Sequence, residues 1–167
     1  MRFQGKLFRA LNPLYARDPL SGYGAELHGG RFNPRGTPAI YASLSVATAL
    51  REANQVGDLQ PTLLVSYQAD IANLFDTRDE AELKRFGMDS AALADPSWRD
   101  RMKADGVAPT QDFARKLIAQ DHDGLLVRSF APGATEDDLN LVLWRWGSEA
   151  PPRLLPIDDE ERLSRGR

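Results

Sequence analysis

Segments with strand character cluster toward the two ends of the chain, and segments with helical character lie between them. Residues 79–105 are charged and helical in pattern, with breaks at Gly87 and Asp95-Pro96. Separation of strands and helices along the chain is typical of α+β proteins. The order therefore predicts an α+β fold with a mixed, mostly antiparallel β-sheet core and flanking helices. Strands are predicted at Lys6–Leu11, Pro38–Ala42, Thr62–Gln68, Leu74–Phe75, Leu125–Ser129, Leu139–Trp146 and Arg153–Ile157.

The segment 21–37 contains five glycines and Pro34, a composition that argues against the interior of a helix. Its backbone is expected to turn or to approach another group closely. Gly29 and Gly30 directly precede Arg31, whose planar guanidinium offers paired donors to a phosphate or a carboxylate. The pattern fits a ligand-binding loop, and it also fits a surface turn that carries an exposed arginine.

A helix is predicted from about Val46 to Asn54, with Ser43 or Ser45 as its N-cap. Its apolar residues recur at the spacing of one buried stripe, and Glu52 falls at the edge of that stripe. A carboxylate in this position belongs either to a pocket or to a salt bridge. Its neighbour Arg51 points elsewhere on the helix and is a poor partner.

Tyr41 and Ser129 each lie at the end of a predicted strand. The Tyr41 ring, just before a helix start, would stack on a flat heterocycle or fill the core. The Ser129 hydroxyl would orient a carboxylate or a ribose, or simply belong to a turn, since no Gly-x-Ser-x-Gly motif surrounds it. A further helix is predicted to begin with Thr110 as its cap and to end near Gln120, burying Phe113, Ala114, Leu117 and Ile118.

Length and composition fit one globular domain. The 167 residues are 42% hydrophobic and 27% charged, and they include no cysteine. We expect a single domain over residues 1–157 and a polar tail over residues 158–167. No run reaches the ~18–20 apolar residues of a membrane helix, and no signal-peptide pattern opens the chain. A cytoplasmic protein without membrane contact is therefore expected.

The charge is unevenly distributed along the chain. Residues 1–60 carry seven Lys or Arg against four Asp or Glu, whereas residues 61–167 carry fourteen against twenty. A net charge of −3 disfavours direct nucleic-acid binding, while a positive first third suits a small anionic ligand. Random placement of solvated charge explains the asymmetry equally well. No metal site is predicted, because His28 and His122 are isolated.

Four sequence motifs occur in a fixed order. They are Phe8-Arg9; residues 29–33 with 36–43; residues 48–52; and residues 123–129 followed by 140–144. Together they resemble the signature of the RES-domain toxins over residues 6–146. That family takes its name from an Arg, a Glu and a Ser, which correspond here to Arg31, Glu52 and Ser129. Residues 76–110 match no motif of the family.

The resemblance implies a fold similar to ADP-ribosyltransferases, with NAD as a consumed substrate and no metal. It implies catalytic roles for Arg31, Glu52 and Ser129, with Glu52 stabilising positive charge on the ribose. Arg31 and Arg9 would hold the diphosphate, Tyr41 would stack on nicotinamide, and Asn140 would add a contact. It also implies a type II toxin whose Xre-like helix-turn-helix antitoxin blocks the active site. The ADP-ribose would pass to water or phosphate, or to a target protein.

Two other classes of function remain open from the residues alone. In the first, the same arginine and tyrosine hold a nucleotide as a regulatory ligand, and the chain is a non-catalytic binding module. In the second, the chain is a metal-independent nuclease or a nucleic-acid-binding protein, which its acidic balance disfavours. Release of nicotinamide from NAD would distinguish the enzyme from both.

Overall fold

A computed structural model of the chain describes residues 1–55 and 57–165. Within these residues the strands are β1 Phe3–Leu11, β2 Ile40–Ser43, β3 Leu63–Ile71, β4 Leu74–Asp76, β5 Gly124–Arg128, β6 Leu139–Leu143 and β7 Arg153–Pro156. The helices are α1 Tyr23–His28, α2 Val46–Ala53, α3 Glu80–Arg85, α4 Ser90–Ala94, α5 Trp98–Asp105 and α6 Pro109–Ala119.

The strands form one sheet in the order β4-β5-β6-β2-β1-β3-β7. Every neighbouring pair is antiparallel except β4 and β5, which run parallel at one edge. A parallel pair needs a long crossover connection, and here α3–α6 supply it. The predicted α+β class with a mixed, mostly antiparallel sheet is confirmed.

Both faces of the central strands are buried. Because successive side chains of a strand point to opposite faces, Leu125 and Val142 enter one apolar cluster while Leu126 and Leu141 enter another. The first cluster lies between the sheet and α3–α6, with Phe75, Phe113 and Trp144 among its members. The second includes Leu7, Ile40 and Tyr67. Residues 79–105 are helical with breaks near Gly87 and Asp95, as the sequence predicts.

The glycine-rich segment 21–37 contains a helix, contrary to the sequence prediction. Helix α1 spans six residues and includes Gly24, so the prediction that this segment excludes a helix interior is wrong. The flanking glycines limit the helix instead of preventing it. Gly22 precedes its first residue, and Gly29 ends it with φ of 74°, a conformation that glycine adopts without strain.

Helix α2 begins at its predicted position, whereas α6 does not. Ser45 is the N-cap of α2, and its hydroxyl oxygen accepts a hydrogen bond from the Thr48 amide at 3.1 Å. The predicted cap at Thr110 is wrong, because α6 starts at Pro109 after Ala108. Proline is favoured in the first turn of a helix, where its missing N–H leaves no hydrogen bond unmade.

Residues 158–165 include turns closed by one carboxylate. Asp158 accepts hydrogen bonds from the backbone amides of Arg162 and Leu163 at 2.7 and 3.0 Å. Residues 166 and 167 of the predicted tail lie outside the described residues. The division into a domain of residues 1–157 and a tail of residues 158–167 stays a prediction.

Candidate active site

A cavity of about 730 Å³ opens beside strands β1 and β2. Its walls come from β1 and the loop that follows it, α1, the end of β2, one face of α2 and a single residue of β6. This volume lies within the range of about 300–1,000 Å³ that is typical of small-molecule sites. Four residues predicted from the sequence line it: Arg9, Tyr41, Glu52 and Asn140.

The carboxylate of Glu52 is held by two donors. The Ser129 hydroxyl and the Asn140 side-chain amide both donate to Glu52 Oε1, the amide at 2.6 Å. Ser129 comes from the end of β5 and Asn140 from β6, so the sheet fixes a carboxylate that the helix supplies. Gln55 donates to the other oxygen of Glu52. The arrangement presents a carboxylate of fixed orientation at the cavity wall.

The amide of Asn140 is itself oriented by Ser43. The Ser43 hydroxyl donates to Asn140 Oδ1 at 2.6 Å, which turns the amide nitrogen toward Glu52. Strands β2 and β6 are paired so that Ser43 and Asn140 face each other directly. Ser43 therefore serves the site and not the helix cap, which is Ser45.

Asp138 ties the helix that carries Glu52 to the segment that carries Ser129. Its carboxylate accepts from the Thr48 hydroxyl at 2.7 Å and from Arg51 Nη1 at 2.5 Å, both on α2. The backbone carbonyl of Asp138 accepts from the Ser129 amide at 2.7 Å. The backbone N–H of Thr135, and then the Thr48 hydroxyl, hold the pKa of the Asp138 carboxyl well below its usual range. Asp138 is the carboxylate with which Arg51 pairs.

Arg31 is not among the residues that line this cavity. Its Nη1 donates to the carbonyls of Leu93 and Asp95 at 3.1 and 2.8 Å, and its guanidinium stacks on the Phe130 ring at 4.7 Å. Burial lowers the pKa of Arg31, while the carboxylates of Asp95 and Glu52 oppose that shift. In the part of the chain that the structure describes, Nε and Nη2 of Arg31 have no hydrogen-bond acceptor, so they are available to a ligand.

Residues 30–33 form a tight turn that carries Arg31. Gly30 and Asn33 exchange backbone hydrogen bonds at 2.9 and 3.3 Å. The Tyr41 hydroxyl donates to Asn33 Oδ1 at 2.7 Å and accepts from the Phe32 amide at 3.0 Å. A Cβ at Gly30 would lie 2.5 Å from Asn33 Oδ1, so only glycine fits there. Burial raises the pKa of Tyr41, which keeps its hydroxyl protonated as a donor.

Arg9 is fixed within the cavity wall by the loop that follows β1. Its Nη1 donates to the carbonyls of Pro19 and Ser21 at 3.3 and 3.4 Å. A guanidinium has five N–H donors, so these two bonds leave Arg9 with further donors to offer a ligand, as in Arg31. The guanidinium of Arg9, in the cavity wall, and that of Arg31, outside the cavity lining, are therefore each held by two backbone carbonyls.

A family model described as the RES domain matches residues 6–165. The chain belongs to the RES-domain family. A comparison with curated proteins gave no match. Among solved structures, the RES domain described here is similar to a chain in the crystal structure of the M. tuberculosis MbcT–MbcA toxin–antitoxin complex. The identity is 20%, the match covers 95% of this chain and 84% of that chain, and the TM-score is 0.66. At this identity the likeness shows the fold.

In this RES domain Ser129 and Asn140 each contact Glu52. Tyr41 and Arg9 line the same cavity as Glu52 and Asn140, whereas Ser129 does not line it. Arg31 does not contact Glu52, although the two charges interact. Sequence reasoning missed the supporting residues Asn33, Gln111 and Asp138. Asn33 lies within one of the four motifs, whereas nothing in the local sequence distinguishes Gln111 or Asp138 from other polar residues.

No helix within the described ranges is long and apolar enough to cross a membrane. Among residues 1–55 and 57–165, no group of three or more His, Asp or Glu side chains is placed to hold a metal ion.

Proposed function

We propose that this RES domain is the toxin of a type II toxin–antitoxin pair and cleaves the nicotinamide–ribose bond of NAD in the cytoplasm. The observation that carries the proposal is the Glu52 carboxylate, fixed by Ser129 and Asn140 at the wall of a cavity of ligand size. Membership of the RES family supports the same reaction.

Glu52 would act on the charge that develops during cleavage. As the bond between the ribose C1′ and the pyridinium nitrogen breaks, the electron pair leaves with neutral nicotinamide and positive charge builds on the ribose. A carboxylate already oriented by two hydrogen bonds stabilises that charge without reorganising. Removing one such electrostatic contact commonly costs about 10²–10³-fold in rate.

The two arginines would bind the diphosphate, and Tyr41 would position the nicotinamide. Arg9 and Arg31 are each held by two backbone carbonyls, so their remaining donors are pre-oriented for phosphate oxygens. The Tyr41 ring lines the cavity while its hydroxyl is bound to the Asn33 turn. A fixed ring of this kind offers a flat face to an aromatic ligand.

Three kinds of acceptor for ADP-ribose are consistent with the proposed cleavage. Water would give hydrolysis, inorganic phosphate would give phosphorolysis, and a nucleophilic side chain would give a modified target protein. Each acceptor attacks the same C1′ atom as nicotinamide leaves, and a neutral acceptor such as water loses one proton as the new bond forms. Product analysis with labelled NAD, with and without phosphate or cell lysate, separates the three.

We also propose that an Xre-like helix-turn-helix antitoxin blocks the cavity with a terminal segment. Three exposed apolar residues line the mouth, namely Tyr15, Tyr23 and Leu27, at 71%, 63% and 53% exposure. Apolar side chains at a polar rim offer a docking surface, and Arg9 would attract a carboxylate. Inhibition by the antitoxin should be competitive with NAD. Noncompetitive inhibition would mean that the antitoxin covers another face.

The proposed function is tested in cells by inducing the chain without a partner. We expect growth arrest together with a fall in NAD or the appearance of ADP-ribosylated protein, and neither in cells that express Glu52→Gln. Normal NAD and unmodified protein in arrested cells would contradict NAD cleavage. A chain that binds NAD without consuming it would be a regulatory nucleotide-binding module.

A further inference from the structure

We propose that Gln111 is a positioning residue that fixes the turn carrying Arg31, so that Arg31 keeps its donors aimed at NAD. This inference rests on the proposed function for its ligand. Gln111 lies on α6, far in sequence from the turn, and its side chain is fully buried.

The side-chain amide of Gln111 forms hydrogen bonds through both its nitrogen and its oxygen. Nε2 donates to the carbonyls of Gly30 and Asn33 at 2.9 and 3.1 Å, the two residues that close the turn around Arg31. Oε1 accepts from the Ala108 amide at 2.9 Å, which fixes the amide group in the orientation that donates to the turn. One side chain therefore holds both ends of the turn to the start of α6.

The turn depends on these bonds because few other hydrogen bonds join its two ends, although the Asn33 side chain also donates to the carbonyls of Ala25 and Thr37 at 2.8 and 2.9 Å. Gly30 and Asn33 exchange two backbone bonds, one of them at 3.3 Å. Tyr41 and Trp144 hold the middle, with the Tyr41 hydroxyl on the Phe32 amide and Trp144 Nε1 on the Phe32 carbonyl at 2.9 Å. Only Gln111 holds the two ends together from outside, among the described residues. Its loss would leave buried carbonyl groups with fewer donors, which is unfavourable.

Arg31 stands between the residues that Gln111 holds. Its Nη1 donates to the Leu93 and Asp95 carbonyls, which leaves Nε and Nη2 for a ligand. A shift of the turn moves the Arg31 backbone and breaks that alignment. The consequence is weaker NAD binding through Arg31, and not a general loss of fold.

The chain offers a matched control beside Gln111. Thr110 is equally buried on α6, and its Oγ1 is without a hydrogen-bond partner in the residues that the structure describes. Thr110→Val keeps the shape of the side chain and removes a hydroxyl that forms no hydrogen bond with the described residues. Gln111→Met keeps the length of the side chain and removes its donors and acceptor. Gln111→Asn, which draws the same amide back by one methylene, serves if the methionine variant fails to fold.

Two measurements test the proposal. The first is hydrogen exchange at the amides of Gly30, Phe32 and Asn33, which needs no ligand. We expect about tenfold faster exchange in Gln111→Met, consistent with loss of a buried hydrogen bond, and no change in Thr110→Val. The second is the dissociation constant for NAD, measured in a Glu52→Gln background so that NAD persists.

The second measurement is made as a double-mutant cycle with Arg31→Ala. We expect Gln111→Met to weaken NAD binding about tenfold when Arg31 is present and less than about twofold when it is absent. Equal losses in both backgrounds, or unchanged exchange at the turn, would overturn the proposal. If the parent protein binds no NAD, the proposed function fails, and the exchange measurement alone decides whether Gln111 holds the turn.

Discussion

The Ser129 hydroxyl donates a hydrogen bond to the Glu52 carboxylate across 77 residues of sequence. Glu52 lies on α2 and Ser129 follows β5, so this contact joins the helix to the far half of the sheet. Asn140, on the neighbouring strand β6, donates to the same oxygen. The candidate site of this RES domain therefore depends on the folded sheet and not on any single segment.

Asn140→Asp should lower kcat more than Ser129→Ala does. The aspartate would place a second carboxylate against Glu52, whereas alanine only removes a donor. Two carboxylates this close share one proton, which raises the pKa of one of them. We expect activity of Asn140→Asp to recover partly as the pH falls, because the introduced carboxyl group, once protonated, would donate to Glu52. A pH–rate profile identical in shape to that of the parent would contradict the contact.

Arg31→Lys should not recover the binding of NAD that Arg31→Ala loses. A lysine retains the charge but has no planar guanidinium. Its single ammonium group could not donate to the Leu93 and Asp95 carbonyls and also bind a diphosphate through paired donors. We expect KM for NAD to rise by about tenfold or more in both variants. Arg35→Lys is the control, since Arg35 is exposed and donates a long hydrogen bond to the His28 carbonyl. Parental KM in Arg31→Lys would show that only the charge matters.

Asp138→Asn should lower the free energy of unfolding at neutral pH. It should also make that free energy change less as the solution is acidified. The depressed pKa of Asp138 means that its stabilising effect is present above the ordinary Asp pKa of about 3.9. That effect is lost as the pH falls through the lower, folded-state value. Urea unfolding followed from pH 7 down to about pH 2 should show the difference in free energy of unfolding between the two proteins narrowing progressively below about pH 4.

The exposed neighbour Asp137 provides the control for Asp138. Asp137→Asn should change the free energy of unfolding by less than about 0.5 kcal/mol at either pH. A gap between Asp138→Asn and the parent that persists unchanged at low pH would mean that the charge of Asp138 is not what stabilises the fold.

Sequence patterns predict the structural features that depend on residues close together in the chain. The stripe that places Glu52 at the edge of α2 and the cap at Ser45 follow from periodicity and from the open N–H groups of a helix start. Helix α1 is not predicted in this way, because a high glycine content argues against a helix in general. A helix of only six residues, bounded by Gly22 and Gly29, forms without a high helix propensity. Threonine caps helices more often than alanine, so the sequence favours a cap at Thr110, although Pro109 determines the start of α6.

Long-range contacts could not be predicted in the same way. The Ser43–Asn140 pair depends on the register of β2 against β6, and the order of the sheet depends on which strands meet after folding. Burial of Gln111 and Asp138 also follows from tertiary packing, since an isolated Gln or Asp is usually an exposed residue. The RES motifs include the residues predicted for the site, and the structure adds the residues that contact and support them.

The most direct test of the account is nicotinamide release from NAD by the purified chain and by Glu52→Gln. The substitution removes the charge with little change in volume, so NAD should still bind with an affinity within a few-fold of the parent. We expect kcat to fall by about 10²–10³-fold, the loss typical of one transition-state contact. Glu160→Gln, an exposed surface change, should release nicotinamide at the parental rate. Parental kcat in Glu52→Gln would contradict the central claim that this carboxylate carries the reaction.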